Sequence, residues 1–216
     1  MFKRKTLFWF VSSVLSMVCV FCLQNSVYGA TVQSNLTMTV SDNLLEYSIT
    51  PSPGGTFGKS SNNTISITTN NYTGYSLSIA TNESTSMLNS DDVEIESISS
   101  SIDESTFSSN SSYNNQWGYK PSQYVTTNGG INTIVQNTNY LPAPSMSGDL
   151  LAVTNTANST ANTYTLTFGA RVDTTLPADT YSYTYILTAV TNSIVYNITY
   201  DDNTTDTVTN MPVPNP

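Results

Sequence analysis

Residues 163–190 read TYTLTFGARVDTTLPADTYSYTYILTAV, and the fold class can be inferred from the pattern of this stretch. On either side of a central loop, large apolar residues alternate with small or polar ones, which is the period-two pattern of a β-strand. Pro177, in the middle, cannot donate a hydrogen bond to a neighbouring strand. The stretch therefore predicts two strands, Tyr164–Val172 and Tyr181–Val190, joined by a loop over residues 173–180. We expect them to pair as antiparallel neighbours with their apolar faces on one core, although a link of this length can also cross between sheets.

The letters LPADT, residues 176–180, come close to the LPxTG signal that attaches proteins to Gram-positive cell walls. A sorting signal is followed by an apolar membrane segment and a basic tail, whereas these residues precede a strand rich in Thr and Tyr. Thr180 also occupies the position of the expected Gly. We therefore interpret LPADT as part of the fold, and we expect Leu176 to close the end of the core.

The same alternation recurs along the chain and predicts further strands. Turn sequences separate them at PSPGG (51–55), NNYTG (70–74) and NGG (128–130). The alternating residues are Leu36, Met38 and Val40; Leu45, Tyr47 and Ile49; Ile65 and Ile67; Tyr75, Leu77 and Ile79; Val93 and Ile95; and Ile194, Tyr196, Ile198 and Tyr200. No helical stripe follows the first 30 residues, and the Ser-rich segment from Ser97 to Ser112 predicts a loop. Many short strands at this spacing predict an all-β fold, an antiparallel sandwich of the Ig-like or WxL-like kind or a barrel.

The first 30 residues have the pattern of a secretory signal peptide. A basic start at Lys3, Arg4 and Lys5 precedes the apolar run Leu7–Leu23 and the small residues of VYGA. The alternative is an uncleaved membrane anchor, for which the apolar run is near the lower length limit. We predict removal of residues 1–30, a β-sandwich domain over 31–192 and a C-terminal strand and tail over 193–216.

Loss of the leader leaves three basic and fifteen acidic residues, a net charge of −12. Such a surface repels nucleic acid and anionic bilayers, so we expect neither as a partner once the signal has been cleaved. Both cysteines, Cys19 and Cys22, lie in the leader, and neither has the small preceding residue of a lipoprotein site. The remaining domain must therefore depend on its core, without disulfides.

Few residues offer catalytic or metal-binding chemistry. The chain has no His, which excludes a Ser-His-Asp triad, and the absence of His and mature Cys excludes zinc sites of the His/Cys kind. Glu94 and Glu96 share one face of a predicted strand, which is the weak basis for a glycoside hydrolase as a remote alternative. Asp91 and Asp92 with these two glutamates are the candidate ligands for calcium, but their spacing is not that of an EF-hand, and a solvated acidic loop fits them better. We predict no enzyme and no cofactor other than this calcium candidate.

The aromatic cluster at Trp117 and Tyr119 allows two interpretations. Trp commonly fills the core of a sandwich, and an exposed Trp117 with Tyr119 could instead hold the apolar face of a sugar. Burial of the indole would decide between the two. Covalent joining of Lys59 or Lys120 to an Asn, as pilin-type domains achieve beside a buried carboxylate, is a further alternative that the sequence leaves open.

Three segments resemble a group of exported β-sandwich proteins of Gram-positive and candidate-phylum bacteria. They are TISITTNNYTGYSLSIAT (64–81), NNQWGY (114–119) and LPADTYSYTYILTAVT (176–191). The last is similar to the closing hairpin of WxL-type domains, usually L-P-A-G-T-Y, with Asp179 in place of the Gly. The resemblance implies a sandwich, surface location and no catalytic activity.

The tail YNITYDDNTTDTVTNMPVP (196–214) resembles the opening of a Listeria–Bacteroides-type repeat, a small β-grasp-like module. It departs from the repeat pattern at residues 202–204. The alternative is a plain terminal strand with a Pro-rich end.

Taken together, the residues and the resemblances predict a secreted or cell-surface protein with a structural or adhesive role. The partners to expect are a cell-wall or extracellular glycan or a host surface protein. The rival hypothesis is a carbohydrate-binding module that uses Trp117 and nearby tyrosines.

Overall fold

A computed structural model of the protein describes residues 34–82 and 84–193. The predicted signal peptide and the predicted strand over 194–200 lie outside these residues. In the described part, strands predominate, as the sequence predicted, and one short helix accompanies them. The strands are β1 (Leu36–Val40), β2 (Thr56–Lys59), β3 (Asn63–Thr69), β4 (Tyr75–Thr81), β5 (Met87–Leu88), β6 (Glu94–Ser97), β7 (Ile102–Asp103), β8 (Gln116–Pro121), β9 (Gln123–Asn128), β10 (Ile131–Gln136), β11 (Asn139–Tyr140), β12 (Asp149–Val153), β13 (Asn158–Val172) and β14 (Tyr185–Thr191).

The largest sheet has seven strands in the order β1-β3-β13-β8-β6-β5, with β2 also on β13. Strand β13, of 15 residues, is the central strand of this sheet. Along one edge of β13, β3 pairs with its first part and β2 with its second part, and β8 pairs along the other edge. A second sheet has the order β12-β4-β14, and two further sheets of two strands each, the hairpin β9–β10 and the pair β7–β11, complete the set. Pairing is antiparallel except between β6 and β8, which are parallel.

The main core contains side chains from both large sheets. Ile65 and Ile67 of β3, and Leu77 and Ile79 of β4, are fully buried, as their alternation predicted. The two sheets also meet through polar and aromatic contacts: the hydroxyls of Tyr75 and Tyr164 lie 2.6 Å apart, and the rings of Phe168 and Tyr185 are 5.0 Å apart. Leu176 packs against this core, as predicted.

The expected pairing of Tyr164–Val172 with Tyr181–Val190 is wrong. Strand β14 begins only at Tyr185 and pairs with β4 in the other sheet. The physical reason is that both edges of β13 are already occupied, so the chain after Val172 must cross to the second sheet. Their apolar faces nevertheless share one core, because Tyr181, Tyr183 and the inward residues of β14 pack against it.

Two other predictions need correction. Residues 45–49 form no strand, although Leu45, Tyr47 and Ile49 still pack against the core. The segment 97–112 is not a structureless loop: it contains β7, the helix α1 (Glu104–Ser109) and a 3-10 turn (Ser111–Tyr113). The Asp103 carboxylate caps α1 by accepting a hydrogen bond from the Thr106 amide at 2.9 Å. The sequence does not single out this cap, because the segment is rich in Ser and Thr, which can also cap a helix.

Candidate functional site

Trp117 lies in the core and offers no platform for a ligand. Its side chain is 0% exposed, its indole Nε1 donates to the Thr85 carbonyl at 3.0 Å, and its ring lies 4.3 Å from that of Tyr183. The cause is the pairing of β8 with β13, which turns Trp117 towards the second sheet. The core interpretation of this residue is thereby confirmed, and a sugar has no access to the indole face.

Tyr119 is buried beside Trp117. Its hydroxyl faces the Asp149 carboxylate at 3.5 Å, at the outer limit of a hydrogen bond. Burial, followed by the neighbouring Asp149, raises the pKa of Tyr119 above its ordinary value. Tyr119 therefore contributes to the core, like Trp117, and not to a surface.

The four candidate calcium ligands lie on an exposed loop and strand. Asn89 organises the loop, since its Oδ1 accepts from the amides of Asp91 (3.0 Å) and Val93 (2.7 Å). Asp92 takes a left-handed conformation there (φ 59°), which Asp tolerates better than most residues. Glu94 and Glu96 are exposed on either side of the buried Ile95. Within the described residues, no group of three or more carboxylate, His or Cys side chains could hold a metal ion.

The acidic loop and the LPADT loop are joined at the same end of the molecule. The Asn89 side chain donates to the Asp179 carboxylate at 2.9 Å, and Leu88 and Ser182 exchange backbone hydrogen bonds at 3.0 and 2.9 Å. The Asp of LPADT, where WxL-type sequences have Gly, is thus a structural partner of Asn89. This contact anchors the segment that carries the chain from one sheet to the other.

All three basic residues of the described part hold one insert, residues 97–113, against the outer face of the large sheet. Glu104 of α1 accepts from Lys59 and from Lys120, each at 2.5 Å. These hydrogen bonds, first that of Lys120 and then that of Lys59, lower the pKa of the Glu104 carboxyl. Arg171 is 5% exposed and donates to the carbonyls of Gly54 (2.6 Å) and Ser108 and to Asn114 Oδ1 (2.7 Å).

The insert has its own small core. Ile98, Ile102, Phe107 and Tyr140 are buried together, with Phe57 and Tyr113 against them. Two glycines paired across β8 and β13 make room for it: a Cβ on Gly169 would lie 2.8 Å from the Tyr140 ring, and one on Gly118 would lie 2.8 Å from Ile98. The lysines are therefore engaged in docking α1, and the structure shows them on Glu104.

The turn between β3 and β4, residues 69–74, binds the chain where it enters the described domain. The Asn35 amide donates to Asn70 Oδ1 at 2.5 Å, and the Asn35 carbonyl accepts from the Thr69 hydroxyl at 2.7 Å and from the Asn70 amide at 3.2 Å. Thr69 is itself buried. The start of β1 is thus fixed to this turn.

The same turn binds the chain where it leaves β14. The Asn192 carbonyl accepts from Asn71 Nδ2 at 3.0 Å and from the Thr73 hydroxyl at 2.8 Å, and the Asn192 amide donates to the Gly74 carbonyl at 3.0 Å. The Asn192 side chain donates to the carbonyls of Thr73 (2.8 Å) and Thr154 (2.6 Å) and accepts from Ser76 at 2.8 Å. The sequence predicted a turn here, from Asn, Thr and Gly, but not its role as a tether.

These contacts give the described domain two different poles. The proximal pole, which contains the 69–74 turn and residues 34–36, 153–158 and 191–193, carries no charged side chain. The distal pole contains the loops around residues 52–55, 84–92, 145–149 and 173–184, with Asp91, Asp92, Asp149, Asp173 and Asp179. Hydrogen bonds, foremost from the Thr175 side chain, hold the pKa of Asp173 at about 2, so this carboxylate stays ionised at any moderate pH. The distal pole is the candidate functional surface.

Comparisons of the chain with protein-family models, with curated proteins and with solved structures found no match. The resemblances to WxL-type domains and to a Listeria–Bacteroides-type repeat therefore stay predictions. Among the described residues, no helix is long and apolar enough to cross a membrane.

Proposed function

We propose that the protein is a secreted or cell-surface β-sandwich of the Ig-like or WxL-like kind, with a structural or adhesive role and no catalytic activity. The signal-peptide pattern of residues 1–30 supports export, and the tail over residues 196–214 resembles the opening of a Listeria–Bacteroides-type repeat. The proposal places function on the distal pole.

One observation carries the proposal: both ends of the described domain are bound to the 69–74 turn. Because both chain ends leave the domain at one pole, an attachment through either end leaves the opposite pole free to face a partner. The loops at that opposite pole carry carboxylates, while the chain ends lie among uncharged Ser, Thr and Asn. A surface of this kind fits a partner that offers cationic or hydroxyl-rich groups, such as an extracellular glycan or a host surface protein.

Export is tested by expressing the full chain in a Gram-positive host and analysing the cell fractions by mass spectrometry. We expect the protein in the wall or medium fraction with residue 31 at or near its N-terminus. Protein confined to the cytoplasm and still starting at Met1 would contradict the proposal.

Adhesion is tested by retention of the purified protein on immobilised wall glycans and extracellular matrix proteins. The distal variant Asp91→Asn with Asp92→Asn should lose retention, because both side chains are exposed on the acidic loop. The matched control at the proximal pole is Asn155→Ser with Thr156→Ser, also exposed and uncharged. Equal retention of the two variants would refute the proposed role of the distal pole, and hydrolysis of a glycan by the wild type would refute the proposed absence of catalytic activity.

A further inference from the structure

The β9–β10 hairpin carries an open strand edge. Among the described residues, β10 pairs with β9 alone, and every residue of β10 except Val135 is exposed. Ile131 is 71% exposed and Ile134 is 49% exposed. Other strand edges are covered in part, because β1 and β14, at the edges of the two large sheets, lie against each other, and β9 lies beside β12. The outer edge of β10 is therefore open to a further strand.

Strand β10 lacks the features that normally prevent an exposed edge from pairing. Such edges are usually protected by charged residues, by Pro or by a β-bulge. The sequence of β10, INTIVQ, contains neither charge nor Pro, and its pairing with β9 runs over six residues without a shift of register. No charged residue lies between Lys120 and Asp149. By contrast, β6 of the large sheet carries the exposed residues Glu94 and Glu96.

The backbone groups that face the open edge belong to the even-numbered residues of β10. In an antiparallel pair, the amides and carbonyls of successive residues point alternately to the two sides of the strand. Just beyond β10, the Asn137 amide donates to the Ser122 carbonyl at 2.9 Å, in continuation of the register between β9 and β10. The odd-numbered residues therefore bond to β9, and Asn132, Ile134 and Gln136 direct their amides and carbonyls outwards.

This edge is complementary to itself. When two copies pair antiparallel about a two-fold axis at Ile134, Ile134 lies opposite its own copy, and Asn132 lies opposite Gln136 of the second copy. The pairing uses every outward amide and carbonyl of both strands, and it places apolar beside apolar and amide beside amide. It also brings no charge into the contact. Acidic surfaces of two copies repel, since each carries a net charge of −12 after loss of the leader, so an uncharged edge is where they can approach.

We propose that the open edge of β10 binds the same edge of a second copy about a two-fold axis at Ile134, which joins two β9–β10 hairpins into one continuous antiparallel sheet. The contact is small, so the dimer dissociates readily. The inference goes beyond the proposed function, because it concerns a surface other than the distal pole and a partner of the same sequence.

The dimer is tested by sedimentation velocity of the purified protein over a range of concentrations. Ile134→Lys places like charges opposite each other at the axis and should raise the dissociation constant of the dimer at least about tenfold. Asn132→Pro should also weaken the dimer, because it removes an outward amide and none that bonds to β9. The control is Ile186→Lys, which makes the same change of charge at an isoleucine of β14 that is 44% exposed, and which should leave the dissociation constant unchanged.

The register is tested by mixing Ile134→Lys with Ile134→Glu. Each variant alone should be monomeric, and the mixture should dimerise, because opposite charges then face each other at the axis. Added salt should strengthen the wild-type dimer, since it screens the repulsion between two acidic copies. Circular dichroism spectra that match the wild type show that each variant is folded.

A wild type that stays monomeric at every concentration would overturn the proposal, including one whose hairpin binds a segment of another protein instead. Equal weakening of the dimer by Ile134→Lys and Ile186→Lys would also overturn it, because the contact would then depend on net charge and not on β10. Failure of the two charged variants to dimerise when mixed would reject pairing about Ile134.

Discussion

At the scale of the residue, buried hydroxyls differ in whether they have partners. Tyr164 and Tyr75 share a hydrogen bond of 2.6 Å between the two sheets, and Tyr75 also accepts from Asn162 at 3.0 Å. The hydroxyl of Tyr140 is buried in the insert core and has no hydrogen-bond partner among the described residues. An unpaired buried hydroxyl destabilises the fold, whereas a paired one is neutral or stabilising.

Tyr140→Phe should therefore leave the free energy of unfolding unchanged or raise it by up to about 1 kcal/mol. Tyr164→Phe should lower it by about 1 kcal/mol, because Tyr75 loses a partner. Urea unfolding followed by Trp117 fluorescence measures both. A larger loss for Tyr140→Phe than for Tyr164→Phe would show that the Tyr140 hydroxyl has a partner that the structure does not reveal.

Two glycines with positive φ provide a second comparison. Gly74 (φ 74°) is crowded, since an added Cβ would lie 2.4 Å from the Thr154 carbonyl oxygen, whereas Gly130 (φ 80°) has open space around it. Gly130→Ala should cost about 1 kcal/mol for its left-handed conformation alone. Gly74→Ala should cost at least about 1 kcal/mol more, because Thr154 or the turn must move. Thermal unfolding decides this, and equal costs would mean that the turn yields freely.

At the scale of the element, strand β14 turns one face towards the core and exposes the other. In β14, Leu187 faces the core and Thr188 faces solvent. Leu187→Asp should lower the free energy of unfolding by at least about 2 kcal/mol more than Thr188→Asp, because only the former places an unpaired charge against the core. Similar losses from both variants, in urea titrations, would mean that the exposed face of β14 is covered.

The docking of α1 depends on pH through Glu104. Its pKa in the folded protein lies below the ordinary value of 4.5, so the contribution of its lysine contacts is fully present above about pH 4.5. The contribution is lost as the pH falls through the folded-state pKa. Glu104→Gln should accordingly flatten the fall in stability below pH 4.5, while Glu96→Gln, an exposed glutamate of β6, should not. Identical acid profiles for Glu104→Gln and the wild type would contradict this.

The elements show which features a single sequence can predict. Alternation placed β3, β4 and the inward residues of β14 correctly, because burial on one face of a strand requires a period of two. It failed for the 97–112 segment, where the helix is only six residues long and buries Phe107 alone, too little to give a helical stripe. Alternation also failed to predict the partner of β13. The alternation of a strand indicates which of its faces is buried, but it does not indicate which of its edges can accept a neighbouring strand. The hydrogen bonds between Asn192 and the 69–74 turn join residues more than a hundred positions apart in sequence, and no local pattern could predict them.

At the scale of the whole molecule, the binding of both ends to one turn predicts tolerance of a new connection. A linker of about six residues could join residue 193 to residue 34, since both lie beside the 69–74 turn. Opening the chain between Gly129 and Gly130, at the exposed tip of the β9–β10 hairpin, should then give a folded protein with the same circular dichroism spectrum. Opening it instead between Asn71 and Tyr72 should abolish cooperative folding, and equal stability of the two permuted proteins would show that the turn is dispensable.

The shared carboxylate of Glu104 has a consequence for the chemistry of the protein in solution. Lys59 and Lys120 are the only lysines after residue 5, and both ammonium groups are engaged by one glutamate. An amine-directed acylating reagent can modify either lysine only when its nitrogen has left Glu104 and lost a proton. The rates of acylation at these two positions therefore measure how often each ammonium group leaves Glu104, and a comparison of the more exposed Lys59 with the less exposed Lys120 shows which of the two contacts opens more readily.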